Sequence, residues 1–259
     1  SSDVCSSDLV GHYSGFLAGK TAVMFFPASS IRTRVTFEKG IYLLGGQVIL
    51  FDPTTLDKKE NVADVCAYLN NWADAVIVRY RDIHVLEKMK DAMDVPVINA
   101  LTDDNHPCEV MSDLYALSKV RPDYLQDQYL FVGGDGNIGR SWKEASKAFG
   151  FSLTQCCPDK YRMTDIPYFS DIKEAVLRKD IVCTDSISTS AIDDYKPYQI
   201  TKEIMSLANK DALLNPCPPF YRGEEVSEDV IDSKYFVGYG FKKSLLEVQQ
   251  AIIVYCMTH

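Results

Sequence analysis

The chain has 259 residues, 46% of them hydrophobic and 24% charged, which is ordinary for a globular protein of one large or two modest domains. Its formal net charge of -9, without any run of basic residues, argues against a nucleic-acid partner. No apolar segment of the sequence reaches the roughly 18 residues that a membrane span needs, so we expect no membrane partner either.

The first 17 residues differ from the rest of the chain. Residues 1–9 repeat a Ser/Ser/Asp pattern that matches nothing later, and they lack the basic start and apolar core of a signal peptide. We therefore predict a disordered or foreign leader over residues 1–17.

From residue 20 onward, apolar strand-like runs alternate with segments of helical periodicity. The first series has predicted strands at 21–26, 47–51, 75–79 and 95–99 and predicted helices at 33–44, 60–71, 83–92 and 108–119. After a break at residues 121–123, the second series has predicted strands at 129–133, 152–156, 181–184, 212–214 and 235–239. Its predicted helices lie near 138–149, 170–179, 201–208 and 241–256. The alternation predicts an α/β protein of two doubly wound parallel-sheet lobes, with the ligand site in the cleft between them.

The eight cysteines are distributed along these elements without a CxxC pair or any other zinc-like spacing. Several lie in the apolar strand-like runs, where cysteine behaves as a small buried hydrophobe. The pattern predicts a reduced, cytoplasmic protein with no metal site.

A cluster of hydroxyl and guanidinium groups joins the first strand to the first helix, at residues 29–38. Unpaired backbone N–H groups and the positive end of the helix dipole favour an anion at such a junction. Arg32 and Arg34 add charge-assisted donors, and Ser30 and Thr33 add hydroxyls. The cluster fits a phosphate site, and it also fits a capped helix with two solvated arginines.

Further polar groups follow other predicted strands. Arg79 ends one strand, and His106 and Glu109 open the helix after the next. A histidine at a helix start either polarises a carbonyl oxygen or acts as a structural cap. Residues 185–190 form either a receptor for an amino group or a hydroxyl-rich turn, and the proline-rich loop 215–226 either arranges carbonyls around a ligand or only connects two elements.

A competing motif lies at residues 134–139, which read Gly-Asp-Gly-Asn-Ile-Gly between a predicted strand and a predicted helix. This is the context of a dinucleotide fingerprint, with Asp159 about twenty residues further on. However, Asp159 lies beyond the tip of the next strand, and the fingerprint leaves the first anion cluster unused. An NAD-dependent dehydrogenase therefore remains an alternative function.

Four segments in combination resemble the aspartate/ornithine carbamoyltransferase family. They are Ser30-Ile31-Arg32-Thr33-Arg34, Arg79, His106-Pro107-Cys108-Glu109 and the Cys217 loop ending in Arg222-Gly223-Glu224-Glu225-Val226. The order and spacing of these segments match those of the family from about residue 18 onward. The His-Pro-Cys sequence and the Cys217 loop resemble the ornithine enzymes more than the aspartate enzymes. The resemblance implies a carbamoyl-phosphate domain over 18–120, a second-substrate domain over 128–240 and a C-terminal helix over 241–259 that packs back on the first domain. It also implies a homotrimer with shared active sites and a place in arginine metabolism.

The resemblance further implies transfer of a carbamoyl group from carbamoyl phosphate to the amino group of ornithine, without a metal, cofactor or covalent intermediate. The implied carbamoyl-phosphate site comprises Ser30, Ile31, Arg32, Thr33, Arg79, His106 and Glu109. The implied second-substrate site comprises Asn137, Asp185, Thr189, Ser190 and Cys217. Arg79, His106 and Cys217 are the implied catalytic residues.

The chain departs from the family pattern at several of these positions. Ile31 replaces a threonine beside the phosphate, Glu109 replaces a glutamine, and Pro216 replaces a histidine. Residues 185–190 lack the Trp and Ser-Met-Gly of ornithine enzymes, and Lys242 and Lys243 lie about where an arginine is expected. The family's opening helix is not matched before Gly19, which predicts a truncated chain. Two alternatives follow, namely a different amino or ureido acceptor, or a catalytically silent ligand-binding paralogue.

Overall fold

The computed structural model describes residues 13–259, and residues 1–12 of the predicted leader lie outside the described residues. Nine strands are described: β1 Thr21–Phe25, β2 Gln47–Phe51, β3 Ala75–Arg79, β4 Val97–Leu101, β5 Gln128–Val132, β6 Ser152–Cys156, β7 Tyr168–Phe169, β8 Ile181–Thr184 and β9 Leu213–Pro216. The first described α-helices are α1 Arg32–Leu43, α2 Val62–Leu69, α3 Ile83–Ala92, α4 Pro107–Val120 and α5 Asn137–Phe149. They are followed by α6 Ile172–Ala175, α7 Ile192–Tyr195, α8 Lys202–Ser206, α9 Glu228–Ile231 and α10 Ser244–Thr258. Short 3₁₀ helices cover Pro53–Asp57, Asp159–Tyr161, Thr189–Ala191, Lys196–Tyr198 and Tyr239–Lys243.

The described chain forms two compact units. The first extends to Tyr115 and also contains Lys242–His259, and the second is Ala116–Phe241. Each unit has its own parallel sheet, in the order β2-β1-β3-β4 in the first and β7-β6-β5-β8-β9 in the second. Parallel strands need helical crossovers that cover the sheet faces, which is why apolar runs alternate with amphipathic segments. The predicted fold class of two parallel α/β lobes is therefore confirmed.

The sheet of the first unit has a core on each face. Because side chains alternate along a strand, Met24 and Phe26 face α1 and α10, whereas Val23 and Phe25 face α2 and α3. The edge strand β2 is covered on one side only, since Val48 and Leu50 join the first core while Ile49 and Phe51 are exposed. The unit therefore has a bare apolar strip on one face of its edge strand.

The C-terminal helix α10 packs on α1 within this unit. Gln250 Nε2 donates to Gly40 O at 3.2 Å, and a Cβ at position 40 would lie only 3.1 Å from Gln250 Cγ. Leu17 is buried in the same core, with Tyr13 and Phe16 packed against it. The prediction of disorder is therefore wrong for residues 13–17, because their apolar side chains pack against the first unit.

The second unit differs from the sequence prediction in its shorter elements. Residues 235–239 are not a strand: Phe236 makes a single bridge to Leu214, and Gly238 then adopts a left-handed φ of 80° that ends the extended run. The two-residue strand β7 was not predicted, because so short a segment has no periodic signal. The helices predicted at 170–179 and 201–208 are reduced to α6 and α8.

Within residues 13–259, no helix combines the length and the apolar character that crossing a bilayer requires.

Candidate active site

The strongest cluster of functional groups lies at the carboxyl edge of the sheet in the first unit. Since β1, β3 and β4 are parallel, the segments that follow them meet at one edge. The loop after β1 carries Ser30, β3 ends at Arg79, and the segment after β4 carries His106 and Glu109. Arg79 Nη1 donates to Ser30 Oγ at 3.1 Å, which joins two of these segments directly.

The start of α1 has the properties of an anion site. The N-cap residue Ile31 provides no side-chain cap, so the first-turn N–H groups face outward without a capping oxygen. Ser30 and Thr33 are buried beside this turn, and Arg32 is its first helical residue. The Ile31 side chain is 67% exposed, so only its backbone is available to a ligand in this arrangement.

Arg34 does not join this group in the structure. Its Nε donates to Glu38 Oε1 at 2.7 Å, one turn further along the surface of α1. The expectation that both arginines serve the anion site is therefore wrong for the observed arrangement, and Arg32 is the cation at the helix start.

His106 is buried and uncharged at neutral pH. Burial lowers the pKa of its imidazole to about 4, and the nearby cations Arg79 and Lys242 act in the same direction against the partial support of Glu109. A neutral imidazole retains one N–H donor, which suits it to polarise a carbonyl oxygen.

Glu109 is buried at the first turn of α4 and is held as a carboxylate. Burial by itself raises the pKa of Glu109, but the Lys242 ammonium, which also donates a hydrogen bond to the carboxylate, outweighs burial and leaves the pKa below its usual value. Lys242 Nζ lies 2.7 Å from Glu109 Oε1 and 2.5 Å from Asp113 Oδ1. The sequence indicated Lys242 only as one of two lysines near an expected arginine, so this pairing is new from the structure.

The second unit contains a cavity of about 330 Å³ at the carboxyl ends of β5 and β8. Asp185 and Ser186 line it on one side, and the glycine-rich turn 133–136 lines it on another. Tyr161 and Tyr195 complete the wall, with ring centroids 5.4 Å apart. Sequence reasoning missed both tyrosines, since aromatic residues in loops carry no periodic signal.

The glycines of the 134–139 motif have a packing role. A Cβ at Gly139 would lie 2.7 Å from Phe131 Cε1 and 2.8 Å from Gly134 O, so α5 approaches β5 at a distance only glycine permits. A Cβ at Gly134 would lie 2.9 Å from the Tyr195 hydroxyl. Close helix–strand and tyrosine packing therefore account for the motif without a dinucleotide.

The other second-substrate residues are distributed unevenly around this cavity. Asn137 begins α5 directly after the turn, and Asp185 lies opposite Gly136. Thr189 and Ser190 are exposed on a 3₁₀ helix and do not line the cavity. Cys217 is buried after β9, where its N–H donates to Thr184 O at 3.1 Å. The structure thus places Asp185 in the cavity wall and Asn137 directly after the turn that lines it, and it leaves Thr189 and Ser190 outside.

The loop that follows Cys217 is closed by a buried acid. Glu225 Oε1 accepts a hydrogen bond from Tyr221 N at 2.5 Å, which ties the two ends of a tight turn together. Burial, reinforced by the negative charges of Glu224 and Asp185, raises the pKa of Glu225 to about 7. The rigidity expected of this loop therefore has a second source besides its prolines.

Two parallel α/β units, one with hydroxyl, guanidinium and uncapped helix N–H groups at its sheet edge, are the architecture of proteins that bind small anionic metabolites. Two domain models of one family match the sequence: aspartate/ornithine carbamoyltransferase, carbamoyl-P binding domain, at residues 5–119, and the Asp/Orn binding domain at residues 126–256. The chain belongs to the aspartate/ornithine carbamoyltransferase family.

Individual relatives agree with this assignment. The ornithine carbamoyltransferase of Agrobacterium fabrum is 32% identical over 262 residues, which cover 93% of this chain and 86% of that protein. The corresponding protein of Rhodopseudomonas palustris strain BisA53 is 34% identical over 261 residues, with 93% and 84% coverage. The structure of ornithine carbamoyltransferase from Pyrococcus furiosus superimposes with a TM-score of 0.91 at 27% identity, covering 97% of this chain and 88% of that one.

Proposed function

We propose that this chain transfers the carbamoyl group of carbamoyl phosphate to ornithine, with release of citrulline and phosphate. The observation that carries the proposal is the hydrogen bond from Arg79 to Ser30 beside the uncapped start of α1, with His106 close enough to Arg79 for that charge to lower its pKa. The similar proteins described above are ornithine carbamoyltransferases, which supports ornithine as the acceptor. We assign carbamoyl-phosphate binding to the first unit and amine binding to the second.

In this proposal the phosphate is bound by the first turn of α1 and by the Arg32 and Arg79 guanidiniums. His106 donates to the carbamoyl oxygen, and Glu109 accepts from the carbamoyl amide. The neutral amine forms a C–N bond to the carbamoyl carbon, the C–O bond to phosphate breaks, and the amine proton leaves with phosphate or solvent. Negative charge develops on the carbonyl oxygen and on the departing phosphate, where fixed donors lower the barrier.

The second unit supplies polar groups for the amino-acid part of the acceptor. The Asp185 carboxyl lines the cavity and is suited to an ammonium group, and Asn137, which directly follows the glycine turn of the cavity wall, is suited to a carboxylate. Cys217 stays a predicted catalytic residue on the strength of the resemblance. The outward position of Thr189 and Ser190 favours keeping a related amine as the alternative acceptor.

The first test is a ureido-product assay with carbamoyl phosphate and ornithine, putrescine, lysine, aspartate or oxamate as acceptor. We expect kcat/KM for ornithine to exceed that for aspartate and oxamate by at least about 100-fold, since an unpaired buried polar group penalises the wrong acceptor. Preferred turnover of another amine would establish the alternative acceptor. No turnover, with carbamoyl phosphate still raising the melting temperature, would establish a silent paralogue and refute the proposed activity.

We also propose that the chain forms a homotrimer with shared active sites. The bare strip on edge strand β2 supports a protein–protein contact, because Ile49 is 46% exposed and Phe51 is also exposed on an otherwise well-covered sheet. A cytoplasmic location stays a prediction from the cysteine pattern.

Ile49→Lys is expected to convert the trimer to monomers in sedimentation at micromolar concentration, because a lysine in a closed apolar contact loses its hydration. Leu177→Lys is the matched control, since Leu177 is similarly exposed but lies on the second unit. A trimer that persists in Ile49→Lys would exclude the β2 strip as the contact, and a monomeric wild type would exclude the trimer itself.

A further inference from the structure

Lys242 is the least expected member of the anion site. It lies 133 residues after Glu109 in sequence, at the end of a 3₁₀ helix that leads into α10. Its side chain is 18% exposed, and its Nζ contacts the carboxyls of Glu109 and Asp113, which occupy successive turns of α4. A lysine from the end of the chain is thus fixed to the helix that carries His106 at its start.

The contact with Lys242 leaves the two oxygens of Glu109 in different environments. Oε1 accepts from Lys242, whereas Oε2 lies 4.0 Å from His106 Nε2. Among the described residues, no group donates a hydrogen bond to Oε2. One acceptor oxygen therefore remains on the His106 side of a buried carboxylate, where an N–H donor of a ligand can reach it.

We propose that Lys242 is a positioning residue that keeps Glu109 ionised and turns its Oε2 toward the carbamoyl amide. The inference rests on the proposed function, since it assigns the partner of that oxygen. It also explains how this site uses glutamate: the lysine offsets the negative charge that would otherwise oppose binding of a phosphate ester. Glu109 and Lys242 then act as one unit that accepts a hydrogen bond from a neutral amide.

Four charged or titratable groups surround Glu109. They are Lys242 from the 3₁₀ helix before α10, His106 directly before α4, Asp113 on α4 and Arg32 on α1. Burial raises the pKa of Glu109, and Lys242 is the largest counterweight. Removal of Lys242 leaves burial dominant, so the pKa of Glu109 rises above its usual value. A protonated Glu109 at neutral pH loses acceptor strength, and activity then falls as the pH decreases.

The experiment compares Lys242→Met with Lys242→Arg over pH 5.5 to 9 in the carbamoyl-transfer assay. At pH 7 we expect Lys242→Met to lower kcat/KM by about 100-fold, and Lys242→Arg to stay within about fivefold of wild type. Lys242→Met should also gain an acidic limb in its pH profile, in addition to the fall that protonation of the acceptor amine gives every variant. A merely structural lysine would change the amplitude of the profile but not its shape.

The double variant Lys242→Met with Glu109→Gln is the matched control. The neutral glutamine cannot titrate, so the additional acidic limb should disappear and part of the lost kcat/KM, about tenfold, should return. A wild-type-shaped profile for Lys242→Met, or an additional acidic limb that persists in the double variant, would overturn the assignment of Lys242.

A measurement without substrate separates this inference from the proposed function. In Lys242→Met, the pKa of Glu109 in the folded protein lies above its pKa in the unfolded chain. The free energy of unfolding should therefore fall as the pH rises between these two pKa values. Wild type should show the opposite slope for this group, because its folded pKa is lowered. The double variant should lack this Glu109 contribution, and Asp113, which also loses its Lys242 contact, is the same in the two Met variants, so their difference reports Glu109. Equal slopes in all three proteins would refute the role of Lys242 even if the enzyme is inactive.

Discussion

Replacing Arg32 with alanine is expected to weaken carbamoyl-phosphate binding by about 100-fold, the typical effect of losing a charge-assisted contact to a phosphate. Arg32 is exposed at the first turn of α1, and no carboxylate of residues 13–259 pairs with its guanidinium. Its charge is therefore available to an anion bound at the uncapped helix start. Isothermal titration with carbamoyl phosphate, or with inorganic phosphate as the simpler probe, measures the change.

The chain provides a matched control for this variant two residues away. Arg34 belongs to the same helix and carries the same charge, but it pairs with Glu38 on the surface. Arg34→Ala should change the affinity by less than about threefold, since an exposed pair contributes little and the charge lies away from the site. Both variants should keep the wild-type melting temperature. Equal losses in the two variants would mean that the net charge of α1 matters and that the assigned position of Arg32 does not.

The two sheets and the polar groups at the edge of the first one were predictable for the same physical reason. A parallel strand is buried on both faces, so β1, β3, β5 and β8 are continuous apolar runs, and polar residues directly after such runs must lie at one edge of a sheet. This rule located Ser30, Arg79 and His106 without any structure. It failed at residues 235–239, where a short apolar run continues into a turn.

The remaining site features depend on contacts that local patterns do not encode. The pairing of Glu109 with Lys242 joins residues 133 positions apart, and neither neighbourhood carries a signal for the other. The two arginines of α1 look equivalent in sequence, yet a glutamate one turn away binds only Arg34. Likewise, Thr189 and Ser190 follow a strand as expected, but the 3₁₀ helix that contains them turns their side chains to solvent.

Replacing His106 with alanine is expected to lower kcat by about 100- to 1000-fold, as for loss of one oxyanion donor in other enzymes. The KM for carbamoyl phosphate should change by less than about threefold, because the guanidiniums and the α1 turn bind the phosphate in ground and transition states alike. His106→Asn keeps an N–H donor near the same position and should recover about tenfold of the loss. Steady-state kinetics of the three proteins at pH 8 makes the comparison.

His106→Asn is also expected to change the pH dependence of the free energy of unfolding, which can be measured without turnover. A free imidazole has a pKa near 6.5, whereas burial lowers the pKa of His106 to about 4, so between these values the unfolded chain binds a proton that the folded chain does not. Stability of the wild type should therefore decrease as pH falls through this interval, and His106→Asn should lose that part of the slope. Urea unfolding at pH 7.5, 6 and 5 measures it. If the wild type and His106→Asn had the same slope, the pKa of His106 in the folded protein would equal that of a free imidazole, and the conclusion that burial holds this histidine neutral would be wrong.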